Sequence, residues 1–249
     1  MGSPTANEVT VTGTQIKAVL DFFCNFADFR TLSACSRQTG LDPRVCQAIK
    51  KLLYANRKLG AYFFEAGVPP HRYMREYIFR KLPWVSTATS ILEVGPGDHP
   101  IFNPFDYLQW HGVDRNYQDG AIDFRGQDWG RGKYPPQRLR QGGWENLSQS
   151  FVEYGPFDIV VGSHSFEHVF TPIASLREAA LRLRPGGYLI LFVPDGFSDD
   201  PAIRNEPTHT LFLVPPMIRE FLDHAGGYKN VSIESFRPNF DLAVLAERA

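Results

Sequence analysis

Residues 90–97, SILEVGPG, decide the fold that we predict for this chain. A short apolar run ends at Glu93 and Val94, and Gly95 and Gly97 follow at once, which predicts a buried strand that ends in a sharp turn. Glycines in such a turn let a ligand approach the backbone, because they carry no Cβ. The stretch therefore predicts a cofactor site at the carboxyl end of a strand.

Short apolar runs that alternate with helical periodicity continue from this stretch to the C-terminus. The predicted strands are SILEV (90–94), WHGVD (110–114), AIDF (121–124), FDIVVG (157–162), YLILFV (188–193), YKNVSIESF (228–236) and FDLAVLAER (240–248). Several are continuous β-branched runs, which are typical of an α/β sheet covered on both faces. Only three residues separate the last two runs, so we predict a hairpin and an antiparallel last strand.

The N-terminal third of the chain has a different pattern. From residue 14 to residue 81 apolar side chains recur at helical spacing, and we predict about three helices, over 16–23, 42–53 and 69–82. This part is rich in aromatic residues, which would cover an acceptor site or form a dimer contact. We therefore expect two domains, a helical segment over 1–85 and a sheet-containing domain over 86–249.

Composition narrows the function before any motif is considered. The chain has 249 residues, 43% apolar and 21% charged, with a net charge of −1, which indicates a globular protein without a field that attracts nucleic acid. Cys24, Cys35 and Cys46 have no spacing typical of a zinc site or a disulfide framework. No apolar run is long enough to cross a membrane. We expect a cytoplasmic protein that acts on a small molecule.

A second strand end supports a nucleoside-containing cofactor. Asp114 ends the run WHGVD, and a carboxylate at this position can accept hydrogen bonds from both hydroxyls of a ribose. A dinucleotide fingerprint also requires a third glycine that packs a helix onto the strand, whereas Asp98, His99 and Pro100 occupy that place. The pattern therefore disfavours a nicotinamide enzyme.

Four segments in the correct order resemble the class I S-adenosylmethionine-dependent methyltransferases. They are ILEVGPG (91–97), GVDRN (112–116), FDIVVGSHSFEHVFTP (157–172) and LRLRPGGYLILFVPD (181–195). The resemblance covers residues 89–249 and implies a Rossmann-like, seven-stranded, mostly parallel sheet, methyltransferase activity, and S-adenosylmethionine as cofactor. The chain departs from the pattern in two places: it has no clear helix between the first two strands, and 129–156 form a long insertion.

The resemblance also implies which residues bind the cofactor. They are Glu93, Gly95, Gly97, Asp114, Asp128, Trp129 and Ser163. Glu93 and the two glycines would flank the methionine moiety, and Asp114 would hold the ribose. Asp128 and Trp129 would bind the adenine through its amine and its face, but Asp123 is an equally placed carboxylate, and this choice stays open.

Histidines follow the fourth predicted strand, where the transferred methyl should lie. His164, Glu167 and His168 in SHSFEHV would share one face of a helical turn, and His209 follows the next strand. A neutral imidazole can accept a proton near pH 7, so His164, His168 and His209 are the candidate catalytic residues, with one of them as general base.

Two alternative hypotheses remain for the same cluster. Its residue types resemble those of metal-dependent small-RNA 2′-O-methyltransferases, which carry a glutamate where this chain has His164; we nevertheless assign no metal. Alternatively, the Glu167–His168 pair only braces the start of a helix.

We thus expect a methyltransferase that acts on an oxygen or nitrogen of a small-molecule acceptor, such as a natural product or a sugar-like metabolite. A metal-assisted RNA 2′-O-methyltransferase and a non-catalytic cofactor-binding module are the two alternatives. Neither a nucleic acid nor a membrane is expected as a partner. A homodimer formed through the helical segment stays open.

Overall fold

The computed structural model describes residues 11–25, 32–55, 71–97, 100–118, 121–124, 127–129, 134–135, 137–237 and 239–249. Internal contacts divide the chain into two units, Met1–Glu76 and Tyr77–Ala249. The predicted domain boundary after residue 85 lies beyond this division, which falls within a helix.

The first unit contains helices, as the sequence predicts. They are α1 (Gly13–Asn25), α2 (Leu32–Thr39), α3 (Pro43–Ala55) and the first half of α4 (His71–Lys81). Helix α3 begins where Asp42 Oδ1 accepts a hydrogen bond from the backbone N–H of Arg44 at 2.7 Å, an N-cap interaction. Helix α2 was not predicted, because its sequence is short and largely polar.

The second unit is built on a seven-stranded sheet. Its strands are β1 (Ile91–Val94), β2 (Trp110–Asp114), β6 (Leu139–Gln141), β7 (Phe157–Ser163), β8 (Leu183–Pro194), β9 (Tyr228–Arg237) and β10 (Asp241–Arg248). The order across the sheet is β6-β2-β1-β7-β8-β10-β9. Strand β10 pairs antiparallel with both β8 and β9, while the other pairs are parallel. The predicted Rossmann-like sheet with an antiparallel last strand is confirmed.

One predicted strand lies elsewhere. AIDF forms β4 (Ala121–Phe124), which pairs with β3 (Tyr117–Gln118) and β5 (Gln127–Trp129) in a separate three-stranded sheet. The edge strand that replaces it in the main sheet is β6, from the long insertion. Sequence patterns miss β6 because it has three residues, of which only Leu139 is buried.

Helices cover the sheet. They are α5 (Pro172–Arg182), the short α6 (Pro201–Arg204), α7 (Pro215–Ala225) and the second half of α4, together with 3₁₀ turns at Trp144–Gln149 and Phe166–His168. On one face Leu191 of β8 shares a core cluster with Leu176 of α5 and Leu222 of α7. On the other face the ring of Phe192 packs edge-on against Tyr77 of α4, with centroids 5.8 Å apart.

The described helices differ from a membrane-spanning helix in length or apolar character. Within the part of the chain that the structure describes, no helix combines the length and the apolar character needed to cross a bilayer.

Candidate active site

Six strands run in the same direction and end at the same edge of the sheet, and this edge gathers most of the residues predicted for the site. Strands β1, β2, β6, β7, β8 and β9 end there, and the antiparallel β10 begins there at Asp241. In open α/β sheets, ligands bind at this edge, where loops leave the strands and backbone N–H groups face a crevice.

The turn after β1 has the geometry that its glycines predict. Gly95 and Gly97 have φ angles of +71° and +57°, in the left-handed region that favours glycine. A Cβ on Gly95 would lie 2.7 Å from Cβ of Ser165, whereas no described atom lies within 4 Å of a Cβ built on Gly97. Gly95 is therefore required by packing, and Gly97 leaves space in which a ligand can reach the backbone.

Asp114 ends β2 beside this turn. Its Oδ2 accepts a hydrogen bond from the backbone N–H of Gly97 at 3.1 Å, and its Oδ1 accepts one from Asn116 at 2.8 Å. Burial raises the pKa of the Asp114 carboxyl, and the two backbone donors oppose that rise. A carboxylate has about four lone-pair positions, so it can still accept bonds from ribose hydroxyls.

The carboxylate of Glu93 has two hydrogen-bond donors inside the protein, and its predicted place beside the methionine moiety stays a prediction. The side chain of Glu93 is buried, Oε1 accepts the backbone N–H of Ile101 at 2.7 Å, and Oε2 accepts the indole N–H of Trp110 at 2.8 Å. Both oxygens thus tie the glycine turn and β2 together. In this arrangement Glu93 braces the turn from beneath.

The segments that follow β6 and β7 make a contact that was not predicted from the sequence. Trp144 follows β6, and its indole N–H donates to Oγ of Ser165 at 3.1 Å, while Ser165 donates to the carbonyl of Val94 at 2.9 Å. A Cβ on Gly162 would overlap the ring of Trp144. Only the presence of a glycine one residue before the end of β7 signals this close approach in the sequence.

The adenine prediction concerns residues outside the main sheet. Asp123 and Asp128 lie opposite each other on β4 and β5, with Trp129 next to Asp128. Their side chains are outside the described part of the structure, so the choice among them stays a prediction. Ser163 ends β7 at the expected edge, paired with Phe192.

His164 occupies a strained position directly after β7. Its φ is +48°, which is uncommon for a residue with a side chain and costs on the order of 1–2 kcal/mol. Its Nε2 lies 3.2 Å from Oδ1 of Asp241, which also forms a buried ion pair with Arg237. Burial acts to lower the pKa of His164, but the carboxylates of Asp241 and Glu167 outweigh it and raise that pKa.

Glu167 lies at the centre of the histidine cluster. Its side chain is 1% exposed, and in the part of the chain that the structure describes neither carboxylate oxygen has a hydrogen-bond donor. Oε1 lies 3.8 Å from Nε2 of His168 and 3.8 Å from Nε2 of His209. Three potential ligand atoms of these residues lie within 4.8 Å of one another. They could hold a metal ion, although the sequence analysis assigns none.

The tautomer of His168 follows from its surroundings. Its Nδ1 lies 2.8 Å from the carbonyl oxygen of Thr208, and because a carbonyl can only accept, Nδ1 carries the proton. The other ring nitrogen, Nε2, faces the cluster. Burial lowers the pKa of His209, which favours the neutral form of that ring.

His209 reaches the site through a segment that returns to the turn after β7. The backbone N–H of Thr210 donates to the carbonyl of Glu167 at 3.0 Å, and its hydroxyl, which has one hydrogen, lies 2.9 Å from that carbonyl and 2.8 Å from the carbonyl of Val169. The sequence places His209 near the site only by analogy. These hydrogen bonds hold it there.

Comparison with known proteins agrees with this architecture. The family profile described as "Methyltransferase domain" matches residues 40–241. No curated protein sequence matches the chain significantly.

Solved structures share the fold at low sequence identity. A SAM-dependent methyltransferase from Thermotoga maritima, described as a possible histamine N-methyltransferase, has a TM-score of 0.53 and 16% identity over 79% of this chain and 97% of its own. The trans-methyltransferase CalH, in complex with S-adenosylhomocysteine (SAH), has a TM-score of 0.51 and 14% identity over 95% of this chain and 74% of its own.

The family profile spans more than half of the chain, and the sheet order and the glycine turn agree with it. The chain therefore belongs to the methyltransferase domain family, and it is a class I enzyme that uses S-adenosylmethionine as methyl donor.

Proposed function

We propose that the enzyme transfers a methyl group from S-adenosylmethionine to an oxygen or nitrogen atom of a small-molecule acceptor. The observation that carries this proposal is the cluster of His168 and His209 around Glu167, at the sheet edge that also carries the glycine turn and Asp114. An imidazole at this place can accept the proton that an O–H or N–H acceptor must lose.

The cofactor would lie along the ends of β1 and β2. Gly97 leaves its backbone accessible, and Asp114 offers a charged acceptor to the ribose hydroxyls. The sulfonium would then point towards the end of β7, where His164 and Glu167 follow Ser163. This placement brings the methyl close to the histidine cluster.

The reaction needs alignment and removal of one proton. A lone pair on the acceptor atom attacks the methyl carbon in line with the sulfur, the carbon–sulfur bond breaks with its electrons on sulfur, and SAH leaves. The proton of the acceptor O–H or N–H passes to His168 or His209, and from there to solvent. Most of the rate enhancement would come from holding the two reactants in line.

Among the three candidate histidines, the surroundings favour His168 and His209. Other groups of the protein hold the ring of His164: its nitrogens lie 3.6 Å from Glu167 and 3.2 Å from Asp241, and its Nε2 also faces the guanidinium of Arg237 at 3.3 Å. We therefore propose a positioning role for His164 and acceptor-side roles for His168 and His209.

The identity of the acceptor can be tested by product mass. The enzyme is incubated with methyl-labelled S-adenosylmethionine and fractionated metabolite extracts, and mass spectrometry detects a small molecule that gains one labelled methyl. Acid stability and fragmentation of the product distinguish O-methylation from N-methylation. If label enters only RNA or protein, the proposed acceptor class is wrong.

Substitutions test the acceptor-side roles once a substrate is found. His168→Ala and His209→Ala should each lower the methyl-transfer rate by roughly 100-fold, because general acid–base groups contribute about 10²–10⁴-fold. SAH affinity should change little. His224→Ala is the matched control, since His224 is an exposed histidine on α7. Unchanged rates in both site variants would contradict the proposed roles.

A further inference from the structure

We infer that Glu167, His168 and His209 form a binding site for one divalent transition-metal ion. The first observation is the state of Glu167, a carboxylate that is 1% exposed and that no described residue supplies with a hydrogen bond. An ionised carboxylate buried in this way is costly unless a cation or several donors face it.

The second observation is the spacing of the possible ligands. Nε2 of His168 and Nε2 of His209 are each 3.8 Å from Oε1 of Glu167, and the two rings lie 5.2 Å apart by their centroids. These separations are too long for hydrogen bonds. Ligand atoms that surround one ion at bond lengths of about 2.0–2.2 Å lie roughly 3–4 Å from one another. The three side chains therefore surround a point at which an ion fits after small rotations.

The third observation concerns the proton on His168. A ligating histidine normally donates its other ring N–H to a carbonyl or carboxylate, which fixes the ring and presents a lone pair to the metal. His168 does so, with Nδ1 donating to the carbonyl of Thr208 at 2.8 Å. The segment that carries Thr208 and His209 is in turn held to Glu167 by Thr210.

His164 does not complete the ligand set. Its Nδ1 is 3.6 Å from Oε1 of Glu167, but its Nε2 lies 3.2 Å from Asp241, and its ring is outside the group of mutually close ligand atoms. Asp241 already pairs with Arg237. We therefore assign His164 and Asp241 to the wall of the site, with three protein ligands for the ion.

The donor set determines which ions fit. Two imidazoles and one carboxylate suit Zn²⁺, Fe²⁺, Co²⁺ and Ni²⁺, whereas Mg²⁺ and Ca²⁺ prefer oxygen ligands. Three protein ligands leave coordination positions open for water or for another oxygen donor. With the ion bound, the Nε2 lone pairs of His168 and His209 are taken and neither ring can accept a proton. If the proposed function also holds, an acceptor hydroxyl would then bind at an open position and would lose its proton more readily there, in place of direct proton transfer to an imidazole.

Direct ion binding tests this site without cofactor or acceptor. The full chain is stripped with chelator and titrated with Zn²⁺ by calorimetry and with Co²⁺ by visible absorption. We expect one ion per chain, a cobalt spectrum typical of mixed nitrogen and oxygen ligands, and no displacement of Co²⁺ by millimolar Mg²⁺.

Variants then identify the ligands. Glu167→Gln preserves shape and should weaken Zn²⁺ binding by at least 100-fold, as should His209→Ala, because loss of an outer partner alone costs about 10–100-fold. His224→Ala should bind as the wild type does, and circular dichroism checks that each variant is folded. Equal affinity of the wild type and Glu167→Gln, or no Zn²⁺ binding by the wild type, would overturn the inference.

Failure of this inference and failure of the proposed function give different results. Methylation of a small molecule that persists in chelator, by a protein that binds no Zn²⁺, removes the metal site and leaves the proposed function. Glu167-dependent Zn²⁺ binding by a protein that methylates no small molecule keeps the metal site and removes the proposed function.

Discussion

At the scale of single residues, the site depends on carboxylates with different surroundings. Glu93 is fully used inside the protein by Ile101 and Trp110, whereas Asp114 accepts two backbone hydrogen bonds and retains lone pairs for a ligand. Both are carboxylates near the ends of neighbouring strands, but Glu93 pairs with Gly112, two residues before Asp114 at the end of β2. Their hydrogen-bond partners therefore differ, and the binding role of Asp114 is a prediction that substitution can test.

Asp114 should control cofactor affinity in a pH-dependent way. Asp114→Asn should weaken SAH binding by about 1.5–3 kcal/mol, roughly 10- to 150-fold, because a charged acceptor is lost. Burial raises the pKa of this carboxyl, and binding needs the ionised form, so wild-type affinity should be complete above that pKa and fall as the pH drops through it. The fall in SAH affinity should therefore begin at a higher pH than it would for an aspartate with the ordinary pKa near 3.9.

Calorimetry with SAH across acidic pH measures both effects. Asp106→Asn serves as control. Asp106 is exposed, and its carboxylate accepts a hydrogen bond from the side chain of the nearby Asn103. If Asp114→Asn binds as tightly as the wild type, Asp114 does not hold the ribose.

At the scale of elements, the turn after β1 combines two glycines with different duties. Both have positive φ, but only Gly95 packs directly against Ser165 of the loop after β7. Packing therefore restricts the residue at position 95 to glycine, while position 97 is expected to need a glycine so that a ligand can reach the backbone. The turn thus joins β1 to β7 and leaves one side open.

Alanine at these glycines should separate stability from binding. Gly95→Ala adds an overlap of about 1–3 kcal/mol to the backbone strain, so it should lower the melting temperature more than Gly97→Ala, whose cost is strain of about 1–2 kcal/mol. Gly97→Ala should lower SAH affinity at least tenfold, because its methyl occupies the open side. Thermal melts and calorimetry measure the two effects.

Gly226 supplies a matched control for Gly97. It ends α7 with a φ of +72°, and no described atom lies within 4 Å of a Cβ built there. Gly226 also has ψ of 170°, in a region that is essentially restricted to glycine, so Gly226→Ala should cost at least as much stability as Gly97→Ala and leave SAH affinity unchanged. Equal SAH affinity in the two variants would show that the turn does not face the cofactor.

At the scale of the whole molecule, the sheet topology assembles the site, and the net charge affects which acceptors the protein attracts. The sheet order brings distant segments to one edge, and the net charge of −1 gives no general attraction for a polyanion. Two basic residues of the insertion have partners within the protein: Arg138 bonds the carbonyl of Tyr107, and Arg140 pairs with Glu153. These observations disfavour an RNA acceptor.

RNA binding should accordingly be weak. Fluorescence anisotropy with labelled single-stranded and duplex RNA, from 50 to 200 mM salt, should give affinities no tighter than the roughly 10⁻⁴–10⁻⁶ M of non-specific binding. SAH binding in the same buffers confirms a folded site. A tight complex whose affinity falls steeply with salt would support the RNA 2′-O-methyltransferase alternative instead.

The sequence by itself determined the parts of this protein that depend on local patterns. Buried β-branched runs, the glycine turn and the strand end at Asp114 are written within short stretches, so the sheet, the family and the cofactor could be predicted. Only the tertiary structure decided that β6 completes the sheet, that Trp144 meets Gly162, and that His209 joins Glu167 and His168. Those features join residues far apart in sequence, and their geometry depends on packing and hydrogen bonds that no local periodicity encodes.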